Sequence, residues 1–527
     1  MMPKFRRSLI YGIAAALVAV LPVIGVFAQG TPLQTATPLE KAVAAVGGEE
    51  ALSELTSLAL EVNGVRWVFD EGFEPGGAPV RIGAYTETVS IDVAQGNLRV
   101  EQTKETLGAA RDLIEVVTRE GGYLDGLDGR FGQPTQQAMR SDRLASTIKQ
   151  QRLLNPHLLL QEMLADPTSV TDAGEVLDEG AVYHRLAVAN EPAPLLLYIH
   201  AGTGQLAKLT TTEEMPLRRD VALEVFYYHW QPIGERGLTF PAEVYIALDG
   251  EIVVKEVRSQ ITVNPALSAD LFAIPAEIEM TPDETLAARG AANHQYLQMF
   301  AHYGFIRDGL QTNLAATEVA PGIYHLTGGS HHSLAVAQDD GIVIIETPLG
   351  GYRSDLIMDW VAETFPDKPI THAVVTHHHE DHAAGLREFA ATGATAVVHE
   401  AAAPFFARIF DAPATISPDR MVENPAEVTM AVVPADESLT LPDSTHAVTI
   451  YPIEQTHAED MIIAYVAEPG IVFVSDLYSP NPDADSAGAG GQLIADAIAM
   501  HGLDVAWVVG GHGGAISMAD FERQLGQ

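Results

Sequence analysis

Six consecutive residues, His377-His378-His379-Glu380-Asp381-His382, concentrate side chains that can bind a metal ion. In an extended turn His377 and His379 lie two apart and point the same way, while Asp381 and His382 point elsewhere. One short loop can therefore hold ligands for two ions. The chain has no cysteine, so no thiolate can take part, and the donors are imidazoles and carboxylates, which suit harder divalent ions. The loop follows the apolar run Ile370 to Thr376, which reads as a strand, and precedes the helix-favouring segment Ala383 to Ala391.

Two ions need more ligands than one loop supplies. His457 follows the apolar strand Val448 to Ile453, Asp476 follows Ile471 to Ser475, and His512 follows Val505 to Gly511. Each stands just past a buried-type strand, where open sheets place functional groups. The early turn Gly328 to Ser333 carries His331 and His332, which could touch substrate, and Tyr478, two residues beyond Asp476, could donate a hydrogen bond to an oxyanion. His378 faces away from the pair beside it and reads as a support behind the ligands. His372, His399 and His446 read as packing or surface residues.

The elements that must position these residues fall in two parts. Lys4, Arg6 and Arg7 precede an apolar run from Leu9 to Phe27, and Val26-Phe27-Ala28 offers small residues at cleavage spacing, so residues 1–28 read as an export signal. The run is also long enough to tether the chain to a membrane if it is retained. Leu39 to Leu55 reads as two short helices broken at Gly47-Gly48. Alternating apolar and β-branched strands follow, with a helical interlude at Asp142 to Leu153 and Pro156 to Ala165, and strands resume from Val182 to Val263. Residues 29–278 thus form a mostly antiparallel sheet domain with helices, and 279–313 a helical linker. From 314 to 527 strands alternate with helices, which indicates two sheets or one large sheet with helices outside.

Composition agrees with folded domains: of 527 residues, 47% are apolar and 19% charged. A net charge of −40 repels phosphate backbones, so nucleic acid is not an expected partner.

H-x-H-x-D-H, then Thr456-His457, Val474-Ser-Asp476 and Gly510-Gly-His-Gly513, resemble the successive motifs of the metallo-β-lactamase superfamily. The resemblance implies an αβ/βα sandwich over roughly the last 210 residues, with the site at the sheet edges. It implies that His377, His379 and His457 hold one metal, Asp381, His382 and His512 a second, and that Asp476 bridges them. The ions are usually zinc, with manganese or iron in relatives. Two such ions lower the pKa of a shared water towards neutrality, and the resulting hydroxide would attack a carbonyl, with Asp381 also orienting the water and shuttling its proton. Asp476 stands where several true β-lactamases carry Cys or Ser, which resembles the lactonase, thioesterase and phosphodiesterase branches. The usual Asp-Thr-Gly is here Glu346-Thr-Pro348, with Glu346 expected behind the ligands.

The first domain is similar, in segments such as Tyr198 to Leu206, Gly237 to Pro241 and Val263 to Pro275, to the curved sheets of outer-membrane lipoprotein carriers and receptors. That likeness implies a surface able to take a lipid or another apolar group. The expected function is an exported dinuclear hydrolase acting on a small-molecule ester, lactone, thioester or β-lactam. Two other readings stay open: a lipid carrier with a structural metal site, and an iron-dependent redox or sulfur-transfer enzyme.

Overall fold

The computed structural model describes residues 36–106, 109–127, 134–190, 192–234, 237–303 and 313–526. The leader expected over 1–28 lies outside these residues. Pro38–Gln527 form one compact unit. Among the described residues there are three sheets, of thirteen, seven and six strands, and no helix is long and apolar enough to cross a membrane.

The large sheet is antiparallel throughout and meanders to either side of a central seam. There the first strand, Ser57–Val68, pairs with both Val80–Asp92 and the last strand, Glu251–Val263. Period-two burial along Leu195–His200 turns Leu195, Leu197 and Ile199 inwards. Helices Ser141–Leu154 and Pro156–Ala165 cover that face with Leu153, Leu154, Leu159 and Leu160. Pro156 sits in the first turn of its helix, where its missing N–H is not needed.

Within the stretch expected as a linker, the described residues 284–303 form two helices, one of which enters the core of this domain. Helix Glu284–Ala292 leads into His294–Tyr303, which brings Tyr296, Leu297, Met299 and Phe300 into the same core. At Gly290 a Cβ would lie 2.0 Å from the Asp142 carbonyl oxygen, so only glycine permits this approach.

The strand Val170–Asp178 is absent from the sequence reading. It is an edge strand with no buried residue, so its sequence, Val-Thr-Asp-Ala-Gly-Glu-Val-Leu-Asp, lacks the alternation that marks a half-buried strand.

The two smaller sheets build the αβ/βα sandwich. Val343, Ile345, Val374 and Val397 of the seven-stranded sheet meet Val448, Ile450, Ile462 and Phe473 of the six-stranded one. Ile342 and Ile344 point the other way, onto a helical layer that includes Ile357, Phe389 and Phe406. The strand Ile342–Ile345 is apolar at every position because both of its faces are covered. The outer face of the six-stranded sheet is covered by Gly488–His501 and Met518–Gln524, through Ile494, Ile498 and Phe521.

Two loops of the first domain rest on the sandwich. The turn Pro216 to Asp220 buries Leu217 in the sandwich's helical layer. In the same turn, Asp220 accepts hydrogen bonds from the Thr415 N–H and hydroxyl, at 2.8 and 2.6 Å. The other is the loop after Ser57–Val68, where the Glu459 N–H donates to the Phe73 carbonyl at 2.7 Å.

Candidate metal centre

The strand Ile370–Val374 ends at the metal loop, and His379 caps the short helix Glu380–Ala383 that carries Asp381 and His382. This break from extended to helical backbone points the two halves of the motif in different directions, as the spacing requires. The strand Ile471–Val474 delivers Asp476, and Trp507–Gly510 delivers His512.

The structure gathers His377, His379, His457 and Asp476 into one group whose candidate ligand atoms lie within 4.8 Å of one another, and His331, His382 and His512 into a second. Asp476 stands between the groups. Its Oδ2 is 3.1 Å from His457 Nε2 and 3.9 Å from His377 Nε2, while its Oδ1 is 2.8 Å from His382 Nε2 and 3.0 Å from His512 Nε2. Asp381 turns its Oδ2 to His331 Nε2 at 3.0 Å, and its Oδ1 is 3.8 Å from His382 Nε2.

Several rings are oriented from behind. The Glu346 carboxylate accepts from His382 Nδ1, leaving Nε2 to face Asp476, and the Ser475 hydroxyl donates to the same carboxylate at 3.2 Å. Glu346 and Leu349 both have left-handed backbone, with φ of 75° and 66°, so the Glu-Thr-Pro turn is a strained element set against the site. His512 Nδ1 donates to the Ser330 carbonyl at 2.8 Å, which turns its Nε2 towards Asp476. His379 Nε2 donates to the Gly72 carbonyl at 2.9 Å, so Nδ1 is the nitrogen left for an ion. His378 Nδ1 donates to Asp460 at 2.6 Å.

The remaining atoms are suited to a cation. His377 Nε2, His382 Nε2, His457 Nε2, Asp381 Oδ1 and Asp476 Oδ1 are buried without a hydrogen-bond partner, an expensive arrangement unless another species satisfies them. Burial, reinforced by His382 and His379, holds the His377 imidazole well below its ordinary pKa, and burial with His457 takes His379 down to about 4. Both are therefore neutral and able to donate a lone pair. Burial opposes charge on His382 as well, but Asp476, Asp381 and Glu346 outweigh it and hold that imidazole well above its ordinary value. Burial would raise Asp476, yet His382, with His457 and His512, holds the carboxyl well below the usual range.

The three residues expected to meet substrate take separate positions. His331, read as a substrate contact, stands with His382 and His512 and bonds Asp381. His332 turns its Nε2 to the Gly329 carbonyl at 3.2 Å and packs edge-on against the His325 ring. Tyr478 gives its hydroxyl to Gln524 and packs on Phe521 in the outer core, so it offers no oxyanion donor. Tyr478 is aromatic and apolar along most of its side chain, and core packing claims it.

Residues 326–512 match the model of the metallo-beta-lactamase superfamily. Solved structures similar to the chain include a metallo-beta-lactamase from Pontibacter korlensis, at 19% identity and a TM-score of 0.32 over 41% of this chain and 98% of that one. The metallo-beta-lactamase FIM-1 from Pseudomonas aeruginosa, solved in a mono-zinc form, is 20% identical with a TM-score of 0.30, over 41% of this chain and 94% of its own. One from Hirschia baltica is 17% identical with a TM-score of 0.31, over 40% and 95%. No curated protein matches the chain. The C-terminal domain belongs to the metallo-β-lactamase superfamily. Its class supports a metal-dependent hydrolase that binds divalent metal.

Proposed function

We propose that the chain is an exported hydrolase with two divalent ions, zinc by preference, that cleaves an ester, lactone, thioester or β-lactam bond in a small molecule. The observation that carries this reading is the position of Asp476, one oxygen towards His377 and His457 and the other towards His382 and His512. His377, His379 and His457 would hold one ion, Asp381, His382 and His512 the other, with Asp476 shared. Such a pair, when bound, would make water a competent nucleophile at neutral pH and polarise the scissile carbonyl.

The chain's own groups then orient and move protons. His331 Nε2 fixes one oxygen of Asp381, so the other, Oδ1, faces the site and is placed to accept a proton during attack. Glu346 and Ser330 hold the His382 and His512 rings. Export is supported by the basic and apolar leader.

Elemental analysis of the purified chain, with an ester, lactone, thioester and β-lactam panel run with and without chelator, tests the reading. About two zinc ions per chain and chelator-sensitive turnover are expected. Metal-free protein with no turnover after zinc or manganese is added would overturn it.

A further inference from the structure

The three imidazoles set for the first ion come from two different sheets. His377 and His379 stand past the end of Ile370–Val374 in the seven-stranded sheet, and His457 lies in the turn at 453–461 that joins Val448–Pro452 to Ile462–Val466 in the six-stranded one. Their ring centres are 4.5 to 5.1 Å apart. Such a site is only as exact as the joint between the two sheets, and a working site needs its groups held to within about 0.5 Å.

The joint is made beside the ligands. The Ile462 N–H donates to the Thr376 carbonyl at 2.8 Å, one residue before His377. Extended backbone alternates its side chains, so His378, between two ligands, turns to the opposite side. There its Nδ1 donates to the Asp460 carboxylate at 2.6 Å, three residues past His457. Both side chains are buried, at 0% and 1% exposure. Among the described residues Asp460 is the one hydrogen-bond partner of the His378 ring. The same ring lies edge-on to His379, with centres 5.0 Å apart, and 6.0 Å from Phe405.

A carboxylate this far from water is costly, and two apolar side chains of the same size would stabilise the fold as well. What the polar pair adds is a fixed distance and direction between the segments that carry the ligands. The second ion has other supports, since Glu346 holds His382 and the Ser330 carbonyl holds His512.

We infer that His378 and Asp460 are positioning residues for the first ion: their bond clasps the two sheets at the site and sets the distance from His457 to His377 and His379. This rests on the metallohydrolase reading and deepens it, because it makes the affinities of the two ions separable.

The test is zinc affinity of the full chain, by competition with a chromophoric chelator, together with the visible spectrum of the cobalt-substituted protein. The equivalent lost in His457→Ala identifies the first ion. The double variant His378→Phe, Asp460→Leu, which leaves no buried polar group unpaired, is expected to bind that equivalent about tenfold more weakly, with changed cobalt bands and the second equivalent as in the wild type. Asp460→Asn keeps an acceptor for Nδ1 and is expected to restore the wild-type affinity. His378→Gln acts in the same direction as the double variant and serves in its place if that chain does not fold, as judged by circular dichroism and metal-free melting. Wild-type affinity in the folded variants, a loss shared equally by both ions, or an equal loss in Asp460→Asn would overturn the inference alone. A wild-type chain that binds no divalent ion overturns the metallohydrolase reading itself.

Discussion

Arg218 grips Asp70 in a two-pronged ion pair, with both contacts at 2.7 Å and the Asp70 side chain 2% exposed. The pair joins the two first-domain loops that rest on the sandwich, one from the turn at 216–220 and one from the segment beside His379. Arg218→Ala leaves a buried carboxylate unpaired and is expected to cost about 3 kcal/mol. Urea unfolding measures it, and a midpoint equal to that of the wild type would show that the pair carries no stability.

Glu346 acts through His382. Glu346→Gln removes the charged acceptor at Nδ1 and is expected to lower metal affinity about 10- to 100-fold while the fold persists. Chelator competition reads the affinity. Unchanged binding would mean that His382 is oriented by packing alone.

Asp381 has a different task. Asp381→Asn keeps the size of the side chain but removes the proton acceptor, so turnover should fall by about 10²- to 10⁴-fold in a protein that still melts as the wild type does. Hydrolysis at the wild-type rate would remove Asp381 from the reaction.

A pH dependence follows from the first domain, far in sequence from the metal motifs. Burial works against a charged Glu213, but His294 and Lys149, the latter at 2.6 Å, hold its carboxyl down to about 2. A carboxyl depressed in the folded state stabilises it above the ordinary value of 4.5 and loses that contribution as pH falls towards 2. Over that window the contribution is about 3 kcal/mol. Denaturation at a series of acidic pH values should show a shallower loss in Glu213→Gln than in the wild type; parallel curves would refute the assignment.

The central loop was legible because its chemistry is written in consecutive residues, and His457, Asp476 and His512 because apolar strands announce the ends at which they stand. The sandwich and the antiparallel sheet were legible from the same periodicity. What escaped has a common physical cause: its meaning is tertiary. Asp70-Glu-Gly-Phe-Glu74 has the composition of a solvated turn, and nothing local shows that it meets His379. His331 sits in a turn where glycine and serine suggest only a loop, and its bond to Asp381 arises from the packing of Ser333–Ala337 against neighbouring strands. Tyr478 was misplaced because distance along the chain from Asp476 says nothing about which side of the sheet a residue takes.

The seam at the middle of the large sheet sets an order of events during synthesis. Ser57–Val68 leaves the ribosome early, but its second partner, Glu251–Val263, is made much later, so this sheet closes only after an extended nascent stretch has been released. The metal loop at 377–382 emerges after that, and His457, Asp476 and His512 later still. The chain therefore makes the first-domain platform before the groups that will be seated on it, and a truncated nascent product can own the Asp70 loop with no metal ligand yet to meet.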